Sequence, residues 1–301
     1  MNEWLSSAHE PPHSVVVVGA PISRASISPS QAWSTPPAFR EALRRFPTWD
    51  ARDRADIAVL TVHDRGDVRG DRDDPDARAA HDRIEAVMRE STTAAGVVVV
   101  IGGDNSLTRP AFLGARAALP TASWGLLTLD AHHDCRPVSC GSANGTPVRE
   151  LIEGGLSGSR VAQVGIHPLG NAREHAEWAL AQGIHVHPVD EVRRLGMAEV
   201  IGAALDELGD NGADRIYVDL DVDVVDRAFA PACPASLPGG LLPGDLLDAA
   251  RAVGRHHAVS VVDLCEVDAN ADVAGTTVRL LAAAFTALCA GLAGRGAPAA
   301  P

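Results

Sequence analysis

Carboxylates and imidazoles come directly after an apolar run in the stretch "LLTLDAHHDCR", which spans residues 126–136. Asp130, His132 and Asp134 share one face of the chain while it stays extended, because side chains two apart in a strand point the same way. His133 points to the opposite face, so we expect it beside the site. Two carboxylates and an imidazole held together predict a metal site.

A second acidic stretch, "DLDVDVVD", lies further along the chain. Asp219, Asp221 and Asp223 alternate with apolar residues and would share one face of a strand. Three like charges on a buried strand are costly, and a divalent cation would cancel their repulsion. The alternative is an edge strand with a solvated acidic face, but the apolar residues on either side disfavour it.

A third polar group follows another apolar run, in "IGGDNSLTRP". The two adjacent glycines allow a sharp turn near a crowded site. Asp104 or Ser106 is expected to cap the following helix, and Asn105 is left open as a residue that reaches a metal. Oxygen-rich ligands with one histidine and no thiolate pattern favour Mn²⁺ over Zn²⁺ or copper. Two such ions about 3.5–4 Å apart would activate a water for hydrolysis at carbon or phosphorus.

Apolar runs and amphipathic segments alternate along the chain and must position these groups. Strands are predicted at 14–21, 57–62, 97–103, 124–130, 161–166, 184–189, 215–224 and 259–267. Helices are predicted at 76–91, 106–119, 171–183, 197–209, 243–256 and 276–292, and an exposed loop at 63–75. This alternation predicts an α/β three-layer sandwich, with a central, mostly parallel sheet of about eight strands and helices on both faces. Ligands of such sheets bind beyond the carboxyl ends of the strands, where the polar groups lie.

Composition narrows the class of protein. The 301 residues fit a single domain over 1–301, with flexible tails at 1–13 and 294–301. The net charge of −13, with arginine as the only charged basic residue type, argues against nucleic acid or an anionic membrane as the main partner. The first residues lack a basic and apolar leader, and no apolar stretch reaches the ~20 residues of a membrane span. Five cysteines without a CxxC pair indicate free thiols in the cytoplasm.

Three motifs in order, "GGDNS", "DAHHD" and "DLDVDVVDRAFAPACPASLPGGL", resemble those of the ureohydrolases, which include arginases, agmatinases and formimidoylglutamases. The family patterns are GGDHS, DAHxD and SxDxDxxDPxxAPGxGxPxPGGL. The second is matched in full, and the third has Asp219 in place of Ser and Arg227 in place of Pro. The resemblance runs from about Ser14 to Leu292 and implies an arginase-like fold, two manganese ions and a homo-oligomer.

The resemblance also implies a set of metal ligands: Asn105, Asp130, His132, Asp134, Asp221 and Asp223. Asp130 and Asp221 would bridge the two ions. Asp134 would complete the first ion, and His132 and Asp223 the second. Asn105 stands where the family has a histidine that binds the first ion, so we expect this ion to be held more weakly. The alternative is a single-ion site.

Glu266, in "DLCEVDANAD", matches the family carboxylate that holds the amidine or guanidine nitrogens. Asn144 is expected to contact the substrate, but it stands where arginases and agmatinases have a proton-shuttling histidine. Because an amide cannot carry a proton, His133 and His167 are the alternative proton carriers. The catalytic residues that we predict are therefore Asp134, Glu266 and His133.

Arg136 and the segment "VGIHPLGNA" resemble formimidoylglutamases, which hydrolyse N-formimidoyl-L-glutamate to glutamate and formamide in histidine breakdown. The resemblance implies that Arg136 clamps a substrate carboxylate and that Asn171 contacts the substrate. One alternative is an agmatinase or guanidinobutyrase, which releases urea. Another is a non-catalytic metal-binding homologue, since two family histidines are asparagines here.

Overall fold

The apolar runs form one sheet in the computed structural model, which describes residues 4–6 and 13–295. The strands are β1 (Leu5–Ser6), β2 (His13–Ala20), β3 (Trp49–Asp50), β4 (Ala55–Asp56), β5 (Val62–Asp67), β6 (Ala95–Gly102), β7 (Trp124–Leu129), β8 (Val161–Ile166), β9 (His185–Pro188), β10 (Arg215–Asp221) and β11 (Val259–Cys265). Their order is β1-β5-β2-β6-β11-β10-β7-β8-β9, and each of these pairings is parallel. β3 and β4 form a separate antiparallel pair. The predicted α/β class is confirmed.

Helices cover both faces of this sheet. They are α1 (Thr35–Leu43), α2 (Arg78–Ser91), α3 (Thr108–Ala118), α4 (Pro147–Glu153), α5 (Arg173–Ala181), α6 (Val189–Leu195), α7 (Met197–Asp210), α8 (Pro243–Arg255) and α9 (Thr276–Ala293). In β2, Val15 and Val17 belong to one core with α1 and α6 to α9, while Val16 and Val18 belong to a second core with α2 to α5. This alternation confirms a three-layer sandwich.

Four neighbouring strands in the middle of the sheet, β6, β11, β10 and β7, carry the polar motifs at their carboxyl ends. Asn105 follows β6, Asp130 follows β7, Asp221 ends β10, and Glu266 follows β11. Because these strands are parallel, their carboxyl ends meet at one edge of the sheet. The topology therefore brings together groups that lie far apart in the sequence.

The prediction of a strand at 57–62 and an exposed loop at 63–75 was wrong. Ile57–Val59 is a short 3₁₀ helix, started by the Asp56 side chain, and the strand is β5, Val62–Asp67. β5 lies next to the sheet edge, where His63 and Asp64 are half-buried and Arg65 and Asp67 are exposed. Asp64 pairs with Arg40 of α1 at 2.7 Å. Helices α4 and α6, with seven residues each, are too short to be predicted from the sequence, and α1, with nine, was also missed.

Parts of the predicted tails belong to the folded structure. Leu5–Ser6 pairs with β5, and His13 begins β2. At the other end, the Arg295 guanidinium donates hydrogen bonds to the carbonyls of Gly254, His256 and Val259. The remainder of those tails, at 1–3, 7–12 and 296–301, lies outside the described residues.

Helix α9 is long and apolar enough to cross a membrane by length and composition, with a mean hydropathy of 1.6. However, 72% of it is buried inside the protein, and it packs against α8 and α1. This burial is typical of the core helix of a globular fold.

Candidate active site

A cavity opens at the edge of the sheet where the four central strands end. One wall is acidic and carries His132, Asp134, Asp221, Asp223 and Glu266. The rest of the lining includes Arg136, Asn144, Asn171 and His175. The structure therefore gathers most of the predicted site residues around one space.

His132 is bound between two carboxylates. Its Nδ1 lies 3.0 Å from Asp223 Oδ2 and 3.3 Å from Asp130 Oδ1, and these three residues could hold one metal ion. Burial opposes charge on the imidazole, but the charges of Asp223 and Asp130 outweigh it and raise the pKa of His132 to about 12. Burial and the nearby Asp223 charge raise the pKa of Asp130 to about 7.

The end of β10 turns its acidic residues into the cavity. The strand stops at Asp221, whose Oδ1 accepts a hydrogen bond of 2.7 Å from the Asp223 backbone and so starts a 3₁₀ turn. Burial, followed by the charges of Asp223 and Asp130, raises the pKa of Asp221 well above its usual range. Asp219 shares this face of β10 with Asp221, as predicted, but it lies two residues deeper, beside Asp263 of β11 and outside the cavity lining. Asp223 lies beyond the strand, in the 3₁₀ turn.

Asp134 has a left-handed backbone, with φ of 51°, so the chain is not extended through the second half of "DAHHD". The turn still brings its carboxylate into the cavity, where Oδ2 accepts a 2.7 Å hydrogen bond from Asn105 Nδ2. Burial and the charge of Asp130 raise the pKa of Asp134 well above its usual range. Asn105 Oδ1 meanwhile accepts from the Thr108 hydroxyl at 2.6 Å. In this orientation Asn105 offers a donor to Asp134, and the predicted role as an oxygen ligand is not supported.

The turn after β6 aims its backbone at Glu266. A side chain at Gly103 would meet the Ile22 carbonyl oxygen at 2.4 Å, so only glycine fits this close approach. Asp104 caps the next turn, as predicted, by accepting from the Ser106 backbone at 3.1 Å. The backbone N–H of Asn105 then donates to Glu266 Oε1 at 2.7 Å.

Glu266 is held in a strained backbone conformation on the wall of the cavity. Its φ of 61° is unfavourable for a residue with a side chain. Oε1 accepts hydrogen bonds from Asn105 and from Asn144 Nδ2, whereas the buried Oε2 has no partner among the described residues. Burial and the charge of Asp104 raise its pKa to about 8. A buried oxygen that lacks a donor, on the wall of a cavity, is suited to a cationic N–H group of a ligand.

The acidic wall fits a divalent cation. Four buried carboxylates, Asp130, Asp134, Asp221 and Asp223, surround one imidazole, and the pKa of three of them is raised by burial and mutual repulsion. Such a group is unfavourable as a cluster of charges, and a hard cation with oxygen and imidazole ligands relieves it. Manganese is one of the cations that such a donor set suits.

The cavity lining also carries one positive charge, that of Arg136. The Arg136 side chain is exposed and forms no hydrogen bond or ion pair with any residue that the structure describes. Asn144 also lines the cavity: its Nδ2 donates to Glu266 at 2.9 Å, and its Oδ1 accepts from the Ile27 backbone at 3.0 Å. The cavity lining therefore combines acidic groups with a free guanidinium.

Asn171 fixes the loop after β7. Its Oδ1 accepts from the His133 backbone at 2.9 Å, and its Nδ2 donates to the Ala131 carbonyl at 2.9 Å. The side chain thus lines the cavity with its polar atoms already engaged. The predicted substrate contact through these atoms is not supported, and we assign Asn171 to positioning the loop that carries His132.

The two histidines predicted as proton carriers lie elsewhere. The His133 ring is buried behind the loop and its Nδ1 bonds Gln163 Oε1 at 2.7 Å, so its predicted catalytic role is not supported. His167 Nε2 bonds the Pro238 carbonyl at 3.0 Å and is not part of the cavity lining. His175, which the sequence did not single out, does line the cavity from the first turn of α5. The position of His175 shortly after β8 was the feature of the sequence that could have identified it.

Known proteins share this fold and parts of this sequence. Residues 13–290 match the profile of the arginase family. Formimidoylglutamase from Halalkalibacterium halodurans is 34% identical over 88% of this chain and 83% of its own length. The crystal structure of formimidoylglutamase from Bacillus subtilis superposes with a TM-score of 0.91, at 26% identity over 98% of this chain and 92% of that one. Mitochondrial agmatinase from Gallus gallus is 31% identical over 66% of this chain and 57% of its own length.

Proposed function

Since this chain belongs to the arginase family, we propose that it is a manganese-dependent hydrolase that converts N-formimidoyl-L-glutamate to L-glutamate and formamide. The observation that carries the proposal is the cavity lining, in which Arg136, which pairs with no residue that the structure describes, shares a space with Glu266 and the acidic wall. An amidine is cationic and glutamate adds two carboxylates, so the substrate has a group for the acidic residues and a group for Arg136.

The acidic wall supplies the metal ligands. Asp130, Asp134, Asp221 and Asp223 with His132 would hold the manganese. Divalent ions held by such a set make water a nucleophile at neutral pH and stabilise negative charge on the reacting group. Because Asn105 presents an amide donor to Asp134, we propose that the first of two ions is bound more weakly than the second.

The remaining side chains bind and orient the substrate. Glu266 accepts N–H groups of the amidine through its unpaired Oε2. Asp134 accepts a hydrogen bond from the attacking water. Asn144 holds Glu266 in place and keeps one face of the cavity polar, while Arg136 binds a carboxylate.

A guanidino hydrolase of the agmatinase type is the second candidate, because Glu266 and the acidic wall would also suit a guanidinium group. The agmatinase from Gallus gallus supports it by its 31% identity. A decarboxylated substrate, however, leaves Arg136 without a partner. The free guanidinium therefore favours the carboxylated amidine.

We also propose that the protein acts in histidine breakdown in the cytoplasm, as a homo-oligomer, on a small molecule and without nucleic acid or membrane partners. The net charge of −13 and the free thiols of Cys135, Cys233, Cys265 and Cys289 support this setting.

The test is a product assay on the manganese-loaded protein. N-formimidoyl-L-glutamate, agmatine, 4-guanidinobutyrate and L-arginine are each supplied, and formamide, urea and ammonia are quantified. We expect formamide from the first substrate and at least a hundredfold lower turnover of the others. Urea from a guanidino substrate at a higher kcat/KM would establish the second candidate instead, and no turnover of any of the four would favour the non-catalytic homologue.

A further inference from the structure

His175 occupies a part of the cavity to which no role has been given above. It lies in the first turn of α5, which follows β8, and it lines the same cavity as Arg136. Only 9% of the residue is exposed. A nearly buried imidazole on a cavity wall is placed to touch a ligand and is shielded from bulk water.

The titratable and charged groups around His175 come from three segments. Arg136 and His133 lie on the loop after β7, Arg149 on α4, and Glu174 on α5 itself. Arg149 is already engaged, since it pairs with Glu153 at 2.7 Å and lies 4.8 Å from the centre of the Trp178 ring.

Burial and the charge of Arg136 favour the neutral form of the His175 ring in the free protein. Its Nε2 is 3.4 Å from Glu174 Oε1, a carboxylate that is 76% exposed and therefore well screened. Burial, followed by the charge of Arg136, lowers the pKa of His175 below its usual range. The cavity thus holds a free guanidinium and an uncharged imidazole that could accept a proton.

We propose that Arg136 and His175 form one anion subsite, which binds the substrate carboxylate farther from the amidine, and that His175 takes up a proton from solvent when this carboxylate binds. The inference rests on the proposed function and names the part of that site that selects a dicarboxylate. The carboxylate neutralises the repulsion from Arg136 and offers the imidazolium an acceptor, so binding and protonation favour each other.

The thermodynamic test uses titration calorimetry of the manganese-loaded protein near pH 7.5, in two buffers that differ in ionisation enthalpy. L-glutamate is compared with L-glutamine, which has the same shape but a neutral distal amide. We expect glutamate to bind with net proton uptake and about tenfold more tightly than glutamine, and glutamine to show no uptake. In His175→Gln the uptake should disappear and the affinity for glutamate should fall to that for glutamine.

The kinetic test uses the two corresponding formimidoyl compounds. His175→Gln should raise the KM for N-formimidoyl-L-glutamate about tenfold, with kcat changed less than about twofold, and should leave the KM for the glutamine analogue unchanged. His256→Gln is the matched control, because His256 also has a lowered pKa caused by burial but lies outside the cavity lining. Thermal unfolding checks that each variant is folded.

Three results would overturn the inference: no binding of glutamate, equal buffer dependence for glutamate and glutamine, or an equal rise of KM for both compounds in His175→Gln. Failure of the proposed function gives a different result, because the wild-type protein would then release no formamide at all. A wild-type enzyme that releases formamide but binds glutamate without proton uptake would refute only the role of His175.

Discussion

Replacing Glu266 with glutamine removes the charge of this side chain and keeps its shape. Oε1 accepts from the Asn105 backbone at 2.7 Å and from Asn144 at 2.9 Å, and a glutamine oxygen can keep both bonds. The unpaired Oε2 becomes an NH₂ group, which cannot accept from an amidine. Loss of a charged hydrogen bond costs roughly 1.5–3 kcal/mol, so we expect kcat/KM to fall about 10- to 150-fold in Glu266→Gln.

The same variant should remain folded. The pKa of Glu266 is about 8 in the metal-free protein, above the usual range, so this side chain is mostly neutral at pH 7. A carboxyl whose pKa is raised by folding costs stability as pH rises from its usual pKa of 4.5 to its folded pKa of about 8, because the unfolded chain releases the proton there and the folded chain keeps it. We therefore expect Glu266→Gln to match the wild-type Tm near pH 4.5 and to exceed it at pH 7 without metal.

The assay is steady-state formamide release, together with thermal unfolding at both pH values. Glu207→Gln, which changes a glutamate on α7 outside the cavity lining, is the control for the chemical change itself. A fall in kcat/KM of less than about threefold would refute the substrate contact. A collapse of Tm at pH 7 would show that Glu266 acts mainly in holding the fold.

Three further predictions follow from the same side chains. Asp134→Asn should reduce kcat at least about a hundredfold, because a neutral amide is a poorer acceptor of the water's hydrogen bond than a carboxylate and also faces the Asn105 donor. Unchanged formamide release in this variant would contradict the prediction. The Tm of the metal-free protein should fall from pH 5 to pH 8, because the pKa of Asp130 is raised to about 7 and that of Asp134 is also raised. Added manganese should restore the Tm at pH 8. A Tm that rises with pH would refute the charge cluster. Asn144→Ala removes a hydrogen bond to Glu266 that is worth about 1 kcal/mol, so the KM for the substrate should rise about fivefold while the metal content stays constant. A loss of metal in this variant would instead place Asn144 among the metal-binding groups.

The sheet and the meeting of the polar motifs could be predicted from the sequence because both depend on regular features. Buried parallel strands read as apolar runs, and their carboxyl ends must lie together whatever the loops do. β5 could not be predicted in this way, since its place near the sheet edge leaves polar side chains half-buried and hides the pattern. Short helices such as α6 have too few turns to show a helical period.

The site was predicted less completely because side-chain direction depends on the loops. The alternation of side chains along an extended chain assigned His132 to the cavity and His133 to the opposite side, and the structure bears this out. This alternation does not hold at Asp134, where the backbone adopts a left-handed conformation. The contacts of Asn171 with the loop backbone depend on tertiary packing that no local pattern encodes, as does the approach of His175.

The central claim, that carboxylates from separate strand ends bind manganese, is tested most directly by counting ions. Equilibrium dialysis against manganese, followed by metal analysis, gives the ions bound per chain in the wild type and in Asp221→Asn. We predict two ions in the wild type at saturating manganese, with one lost first on dilution, and loss of both in the variant. Less than one ion per chain in the wild type, or equal binding by Asp221→Asn, would contradict the account.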